Sequence, residues 1–365
     1  MDNLLEILAS PKQVGLLIGA GVSIACGLPG VDDLSIIVRE KVKGSNFEKI
    51  LDASDNVEVI LNKIQQLKSL IGSKTTINGI TLENIITIEK DVKETILTKL
   101  SEEVGFDKLC NLFIWLNYIN RENEKEIFTL NYDLLIERAL ENVDLPYFSG
   151  FIGNVRPFFI SDSVDDFTGL FIKHDWTKLW KLHGSLNFKK SCENKIYIEN
   201  NINDEFENLL VYPSMEKYLS SRKAPFISYL DRFRRYLQNG EKILIILGYS
   251  FNDEHINEII INGLNSNSLL TILSFAYDDN TYNEGIKIFG MYPNFSVYTE
   301  NKKYINRNEN PFTYKKNIGD FGNFIELIDS LLMQSNDLKQ KEELKKWLDW
   351  RAEELEMLLK WILKE

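Results

Sequence analysis

The stretch "GLLIGAGVSIACGLPG", residues 15–30, places five glycines and one proline directly after a short apolar run. The run "VGLLIG" (14–19) is typical of a buried strand, and a helix is expected to follow it. A strand that ends in Gly19, Ala20 and Gly21 before a helix offers backbone N–H groups and a positive helix end to a diphosphate. A turn of this kind also ends strands without binding anything, so other segments must decide its role.

Composition limits the class of protein. The chain has 365 residues, 44% hydrophobic and 26% charged, which is ordinary globular usage and enough to bury a sizeable core. Its formal net charge of -12 repels a phosphate backbone, and no basic patch stands out. We therefore expect no direct contact with nucleic acid.

The sequence shows no pattern typical of a signal peptide, a membrane span or a metal site, and this bears on where the protein is located and whether it binds metal. The first residues lack a basic n-region and a cleavage-like site, and no apolar run approaches the roughly 18 residues of a membrane span. The three cysteines are widely separated, and the three histidines form no Cys/His cluster with metal-ligand spacing. We expect a cytoplasmic protein with reduced thiols, no membrane contact and no metal.

Strand and helix patterns alternate along most of the chain. Continuous apolar runs, typical of strands covered on both faces, occur at 14–19, 126–130, 179–184, 209–214, 242–248, 269–276 and 295–300. Helical patterns follow several of them, beginning after Asp133, Asn252 and Tyr282. This alternation predicts an α/β fold with a Rossmann-like, doubly wound and mostly parallel sheet.

Two regions depart from the alternation. Within about 44–125 the strand signal disappears and helical spacing predicts a helical insertion into a domain that covers residues 1–334. In 335–365, apolar residues at spacings of three and four predict one amphipathic helix. That helix either packs on its own domain or forms an oligomer or partner contact, and the sequence leaves both interpretations open.

Three common motifs are excluded. The dehydrogenase fingerprint GxGxxG fails because Ile24 stands where its third glycine belongs. The Walker pattern fails at "IGSKTT" (71–76), where Ser73 replaces the glycine before the lysine. Neither "GVSIACG" nor "GYSFND" supplies the GxSxG of a hydrolase elbow.

Polar residues follow three further strands. "FTLNYD" ends a strand with Asn131 and Asp133, "KLHGS" carries His183, and "ILGYSFNDEH" carries Ser250 and Asp253. The ends of parallel strands face one crevice, so these side chains are expected to converge. A structural role is open for each: Asp133 and Asp253 are good helix caps, and a histidine at a strand end is often a hydrogen-bonded core residue.

These segments together resemble the sirtuin superfamily, through "GAGVSIACGLP", "TLNYD", "LHGS" and "GYSFND" in the family's order. The resemblance implies a Rossmann-type domain that binds NAD and cleaves its nicotinamide–ribose bond. It implies catalytic roles for Asn131, Asp133 and His183, with His183 acting on a ribose hydroxyl. It places the rest of NAD against the remaining motif positions, namely Gly19, Ala20, Gly21, Ser23, Gly27, Pro29, Gly248, Ser250 and Asp253.

The departures from the family narrow the expected activity. Protein-deacylating sirtuins have a four-cysteine zinc module after the HG motif, whereas this chain has only Cys192 between His183 and "LLVYPS". The chain looks more like the sirtuin-like NADases of bacterial antiphage defence, which hydrolyse NAD and often depend on oligomerisation or on a partner such as a HerA-like ATPase. This resemblance implies an NAD glycohydrolase effector that forms a homo-oligomer. Two alternatives stay open: an NAD-dependent protein deacylase or ADP-ribosyltransferase, and an NAD or ADP-ribose sensor or scaffold without turnover.

Overall fold

The structure is a computed structural model of the chain, and it describes residues 2–9, 13–71, 75–119, 124–165, 172–173, 175–191, 193–199, 207–210, 224–312, 314 and 316–334. The predicted amphipathic tail helix (335–365) lies outside the described residues, as do most of the predicted strand at 209–214, His174 and Cys192.

Helices and strands alternate through most of the described chain. The described strands are β1 Val14–Ile18, β2 Lys125–Thr129, β3 Tyr147–Phe148, β4 Phe151–Ile152, β5 Phe158–Phe159, β6 Thr177–Lys181, β7 Gly184–Lys190, β8 Ile196–Ile198, β9 Glu207–Leu210, β10 Lys242–Leu247, β11 Leu270–Phe275, β12 Phe295–Tyr298, β13 Lys302–Ile305 and β14 Asn308–Pro311. The described α-helices are α1 Asp2–Ala9, α2 Ala20–Ala25, α3 Val31–Val42, α4 Val57–Leu70, α5 Leu82–Leu100, α6 Asp107–Ile119, α7 Leu135–Asn142, α8 Ser161–Val164, α9 Phe226–Gln238, α10 Glu254–Ser266, α11 Asp279–Phe289 and α12 Phe321–Gln334.

The main sheet has nine strands in the order β14-β13-β12-β11-β10-β1-β2-β6-β3. The strands from β12 to β3 run parallel, and β13 and β14 add an antiparallel edge. The six strands from β6 to β12 have the 3-2-1-4-5-6 order of a Rossmann sheet. The prediction of a doubly wound, mostly parallel sheet is confirmed, and the order reverses between β1 and β10.

Both faces of the sheet are covered, which explains the continuous apolar runs. In β1, Leu16 and Ile18 point into one hydrophobic core with α6 and α12. Leu17, between them, points into a second core with α9 and α10. This alternation along one strand follows from the two-residue period of side chains in a sheet.

The described chain between β1 and β2 is mostly helical. The helices α3, α4 and α5 surround a third hydrophobic core of their own, which contains Val38, Ile60 and Val92. In contrast, α6 packs on the main core through Phe113 and Leu116. The helix α6 therefore serves as the crossover that returns the chain to β2.

A second sheet of five strands, in the order β4-β5-β8-β7-β9, was not predicted from the sequence. Its described pairs are antiparallel. The predicted strand at 179–184 is divided: β6 ends at Lys181 and β7 begins at Gly184, whose φ of +96° suits glycine. His183 therefore lies in the short turn that joins the two sheets.

Candidate functional site

A buried network of three polar side chains lies at the carboxyl ends of β1 and β2. The Ser23 hydroxyl donates a 2.6 Å hydrogen bond to Asp133 Oδ2 and accepts one of 2.8 Å from Asn131 Nδ2. The relative exposures of Ser23, Asn131 and Asp133 are 7%, 8% and 5%. The three residues come from two motifs that are 108 or more positions apart in the chain, so the fold assembles the network.

The ends of the two strands hold this network in place. Thr129, the last residue of β2, donates from Oγ1 to the carbonyl of Ile18 at 3.1 Å and accepts the Asn131 N–H at 3.1 Å. Asp133 Oδ1 accepts the backbone N–H of Leu135 at 3.0 Å, at the first residue of α7. The N-cap of α7 is Leu134 and not Asp133, so the contact with Leu135 turns the chain into the helix from one residue further back, and the contact with Ser23 uses the other carboxylate oxygen.

Counting donors shows which atom of Asn131 remains for a ligand. Its Nδ2 group has two hydrogens, which are directed to the carbonyl of Gly19 at 3.1 Å and to Ser23 Oγ at 2.8 Å. The side-chain oxygen Oδ1 is then the polar atom left to meet a ligand, and it only accepts hydrogen bonds. The network therefore fixes the amide of Asn131 in one orientation.

His183 and Asp253 form a second polar contact. His183 Nε2 lies 3.1 Å from Asp253 Oδ2, and the two side chains are 13% and 9% exposed. Asp253 is also the N-cap of α10, where its Oδ1 accepts the N–H groups of His255 and Ile256. The resemblance to the family assigned Asp253 to NAD binding; the structure places it against His183.

The register of the sheet brings the two contacts to the same edge. Thr129 pairs with Lys181 at the ends of the neighbouring parallel strands β2 and β6. Asn131 and His183 each follow two residues later, and neighbouring strands lie about 4.8 Å apart. The two residues thus emerge side by side at the carboxyl edge of the sheet.

The glycine-rich turn lacks side chains mainly because two loops pack against each other through their backbones. The N–H of Gly19 donates to the carbonyl of Leu247, and that of Gly21 to the carbonyl of Gly248, both at 2.9 Å. A Cβ on Gly19 would lie 2.5 Å from Gly248 O, and one on Gly21 would lie 2.8 Å from Gly248 Cα. These glycines therefore join the ends of β1 and β10 at the point where the strand order reverses.

The remaining motif positions surround this junction. Ala20 and Ser250 are exposed at the two loops. Gly27, with a φ of +107°, follows the last residues of α2 and donates its N–H to the carbonyl of Ile24 at 2.9 Å. Pro29 is half-buried beyond it. Helix termination accounts for the conformation of Gly27, since glycine is the usual residue where a helix ends in a positive φ.

Two supporting groups were missed by the sequence reasoning. The buried ammonium of Lys181 donates to the carbonyl of Asp133 and lies 2.9 Å from Glu137 Oε1. Asn257 donates at 2.7 Å to the carbonyl of Phe251 and accepts the Tyr249 hydroxyl at 2.9 Å, which holds the loop before Asp253. The available signal for Lys181 was a lysine inside an otherwise apolar run, whereas Asn257 lies among charged and polar residues and gives no such signal.

Cys26 lies near the network but is a poor nucleophile. Burial raises the pKa of its thiol to about 11, and the neighbouring Asp133 carboxylate adds to the rise. The thiolate is the reactive form of cysteine, and little of it exists at neutral pH with this pKa. Cys26 therefore acts as a small packing residue behind the network.

The described ranges contain no candidate metal site and no candidate membrane span. No group of three or more His, Cys, Asp or Glu residues among them is placed to hold a metal ion. Nor is any helix in that part of the chain long and apolar enough to cross a bilayer.

The strand order defines a Rossmann-type α/β fold, and the polar groups at the carboxyl edge of its sheet form a candidate site. The model of the SIR2-like domain matches residues 125–308, and the chain belongs to that family. The match begins at β2 and includes Asn131, His183 and Asp253.

Two solved structures show a distant similarity to this chain. One similar structure is described as a Sir2 homolog–NAD complex, at 14% identity, 91% coverage of this chain, 93% of the other and a TM-score of 0.45. Another is described as "Structural Basis for the Mechanism and Regulation of Sir2 Enzymes". It is 12% identical, the match covers 90% of this chain and 96% of the other, and the TM-score is 0.43. The search of curated proteins returned no match.

Proposed function

We propose that this protein is an NAD glycohydrolase that cleaves the bond between nicotinamide and ribose and releases nicotinamide and ADP-ribose. The observation that carries the proposal is the buried chain of hydrogen bonds from Asp133 through Ser23 to Asn131. The network lies at the carboxyl ends of the strands, where open α/β sheets generally bind their ligands, and NAD is the ligand that the resemblance to the family implies.

The chemistry suits a site without a protonated carboxylic acid. Nicotinamide is cationic in NAD and leaves as a neutral amide, so its departure needs no general acid, unlike ordinary glycoside hydrolysis. The site has to stabilise an oxocarbenium-like ribose, position a water molecule and accept one proton. A carboxylate, an amide oxygen and an imidazole are sufficient for these three tasks.

Asn131 and Asp133 supply the first two tasks. With both Nδ2 hydrogens engaged inside the protein, Oδ1 of Asn131 accepts a hydrogen from water or from a ribose hydroxyl and so orients its oxygen. The Asp133 carboxylate, buried at 5% exposure, places negative charge next to the developing positive charge on the ribose. Ser23 hydrogen-bonds to both side chains and fixes their positions relative to each other.

His183 accepts the proton. Attack of water on C1′ of the ribose forms the new C–O bond as the bond to nicotinamide breaks, and the surplus proton passes to the imidazole and then to solvent. General base assistance of this kind contributes about 10²–10⁴ to a rate. NAD and water are thereby converted to nicotinamide, ADP-ribose and a proton.

We further propose that the protein acts in the cytoplasm as an antiphage effector that depletes NAD. Constant hydrolysis would harm the host, so we expect low basal activity that assembly, a HerA-like ATPase or another defence partner raises. The sequence of 335–365 is the candidate assembly segment of a homo-oligomer, because its apolar residues recur at helical spacing. Deletion of 336–365 is expected to lower the particle mass measured by light scattering; an unchanged mass, or full activity of a dilute monomer, contradicts this model.

The direct test is NAD consumption by the purified protein at high concentration, with nicotinamide, ADP-ribose and cyclic products separated by chromatography. We expect the wild type to convert NAD without any acceptor peptide, and Asn131→Ala and His183→Ala to lose at least about 10²-fold in rate. The matched controls are Asn265→Ala, which alters an exposed asparagine, and His255→Ala, which alters the second residue of α10.

The products formed from NAD also distinguish hydrolysis from the alternative functions. Conversion only when an acylated or nucleophilic acceptor is present would replace hydrolysis with deacylation or ADP-ribose transfer. Binding of NAD without turnover at any concentration, with or without candidate partners, would overturn the proposal and leave a sensor or scaffold.

A further inference from the structure

The contact between His183 and Asp253 joins two loops that start far apart. His183 follows β6 and Asp253 follows β10, and both β1 and β2 lie between these strands. With neighbouring strands about 4.8 Å apart, the two strand ends are separated by roughly 14 Å. The 3.1 Å contact therefore forms only because both loops bend inward above the ends of β1 and β2.

The carboxylate of Asp253 is held by the start of α10. Its Oδ1 accepts the N–H groups of His255 at 3.1 Å and Ile256 at 3.3 Å, while Oδ2 is directed at His183 Nε2. The single hydrogen of the Tyr249 hydroxyl, which Asn257 Oδ1 accepts at 2.9 Å, also faces the backbone carbonyl of Asp253 at 3.1 Å. Two separate sets of hydrogen bonds thus fix the side chain and the backbone of this residue.

We infer that Asp253 is a positioning residue that sets the orientation and the tautomer of His183, an inference that rests on the proposed hydrolysis. A carboxylate only accepts hydrogen bonds, so Nε2 of the neutral imidazole carries the hydrogen and Nδ1 carries the lone pair. Nδ1 is then the atom that takes the proton from water or from a ribose hydroxyl. The carboxylate stabilises the imidazolium that results, as the aspartate does in Ser-His-Asp triads.

A contact that only holds the two loops together would have a different effect on turnover from one that positions His183. The Asp253→Asn variant distinguishes these two roles. Asparagine is as good an N-cap as aspartate and has nearly the same volume, so the start of α10 is kept. Its amide donates to Nε2, which forces the histidine hydrogen onto Nδ1. A structural tie predicts nearly unchanged turnover, whereas positioning predicts a fall in kcat of about 10²–10⁴ with KM little changed.

The tautomer is measured without turnover by ¹⁵N NMR of histidine-labelled full-length protein. The chain has three histidines, and His183→Gln identifies the signal of His183. We expect the Nε2–H form in the wild type and the Nδ1–H form in Asp253→Asn. The control is Asp278→Asn, which alters an aspartate that caps α11 by accepting the N–H of Thr281 at 2.8 Å.

The outcomes distinguish this inference from the proposed function. An Nδ1–H tautomer in the wild type, no change in Asp253→Asn, or a changed tautomer with full kcat would each overturn the positioning role. A wild type that shows the Nε2–H form but never consumes NAD counts against hydrolysis instead. Asp278→Asn is expected to keep the wild-type tautomer and kcat.

Discussion

Gly21 and Gly248 meet backbone to backbone, with the N–H of Gly21 2.9 Å from the carbonyl oxygen of Gly248. Gly248 has a φ of +65°, and a Cβ on it would lie 2.5 Å from the backbone nitrogen of Val22. The contact ties the first loop of the site to the last one across the reversal point of the sheet. The absence of side chains here is a packing requirement of the protein itself.

Replacing Gly248 by alanine is therefore expected to be costly. The new Cβ meets backbone rather than a flexible side chain, so the loops must separate, and we expect a loss of about 3 kcal/mol or more in the free energy of unfolding. Gly240→Ala is the control, because Gly240 has a φ of +76° but no described atom within 4 Å of its Cβ position. The Gly240→Ala variant should lose only about 1 kcal/mol in the free energy of unfolding. Equal losses in urea unfolding would contradict the packing argument.

The thiol of Cys26 provides a prediction about pH. Because its pKa is raised to about 11, alkylation by iodoacetamide should be slow at pH 7.5 and rise steadily as the pH approaches 11. Asp133→Asn removes one cause of the rise, so alkylation of Cys26 should become faster at pH 8. The measurement is mass spectrometry of the peptide that contains Cys26. A rate equal to that of a free cysteine at pH 8 would show that the thiol is not shielded.

The sheet could be predicted from the sequence because strands covered on both faces form continuous apolar runs. The runs at 14–19, 126–130, 242–248, 269–276 and 295–300 coincide with strands to within about a residue or two at each end. The small antiparallel sheet was missed mainly because β4, β5 and β8 are short and incompletely buried, with two residues each in β4 and β5. Such strands are specified by pairing with each other, which leaves little periodicity to read.

The polar residues at the strand ends could be identified from the sequence, but their pairing with one another could not. The motifs place Ser23, Asn131, Asp133 and His183 at strand ends, and parallel topology predicts that they converge. The contact of Asp253 with His183 depends on how two loops bend, and no pattern of spacing encodes that. The capping role expected for Asp253 is present as well, because its carboxylate has two oxygens with separate partners.

Asn257 is predicted to support the loop that precedes Asp253. Asn257→Ala leaves the buried carbonyl of Phe251 without its 2.7 Å hydrogen bond, and we expect a loss of about 1–3 kcal/mol in stability. If this loop contacts NAD as proposed, KM should also rise. Asn265→Ala on the same helix is the control; it removes an exposed 3.1 Å hydrogen bond to Tyr292 and should cost less than about 0.5 kcal/mol. Similar thermal unfolding of the two variants would contradict the prediction.

The pair formed by Lys181 and Glu137 lies beneath the loop of Asn131 and Asp133. The side chain of Lys181 is 1% exposed and that of Glu137 is 13% exposed. Burial raises the pKa of the Glu137 carboxyl, and within the described part of the chain its Oε2 has no hydrogen-bond partner. The charge and the hydrogen bond of Lys181 oppose this rise in the pKa of Glu137.

Lys181→Met should consequently destabilise the protein by about 3–5 kcal/mol, because a buried charge loses its partner. A carboxyl whose folded pKa is raised contributes most below its ordinary value of 4.5, and the contribution is lost as the pH rises through the folded value. The variant should therefore be less stable at pH 8 than at pH 5.5 in urea unfolding, and adding Glu137→Gln should remove that difference. Lys195→Met, which breaks the exposed pair with Glu193, should cost less than about 0.5 kcal/mol. A loss in Lys181→Met that is the same at both pH values would mean that Glu137 is already protonated in the folded protein.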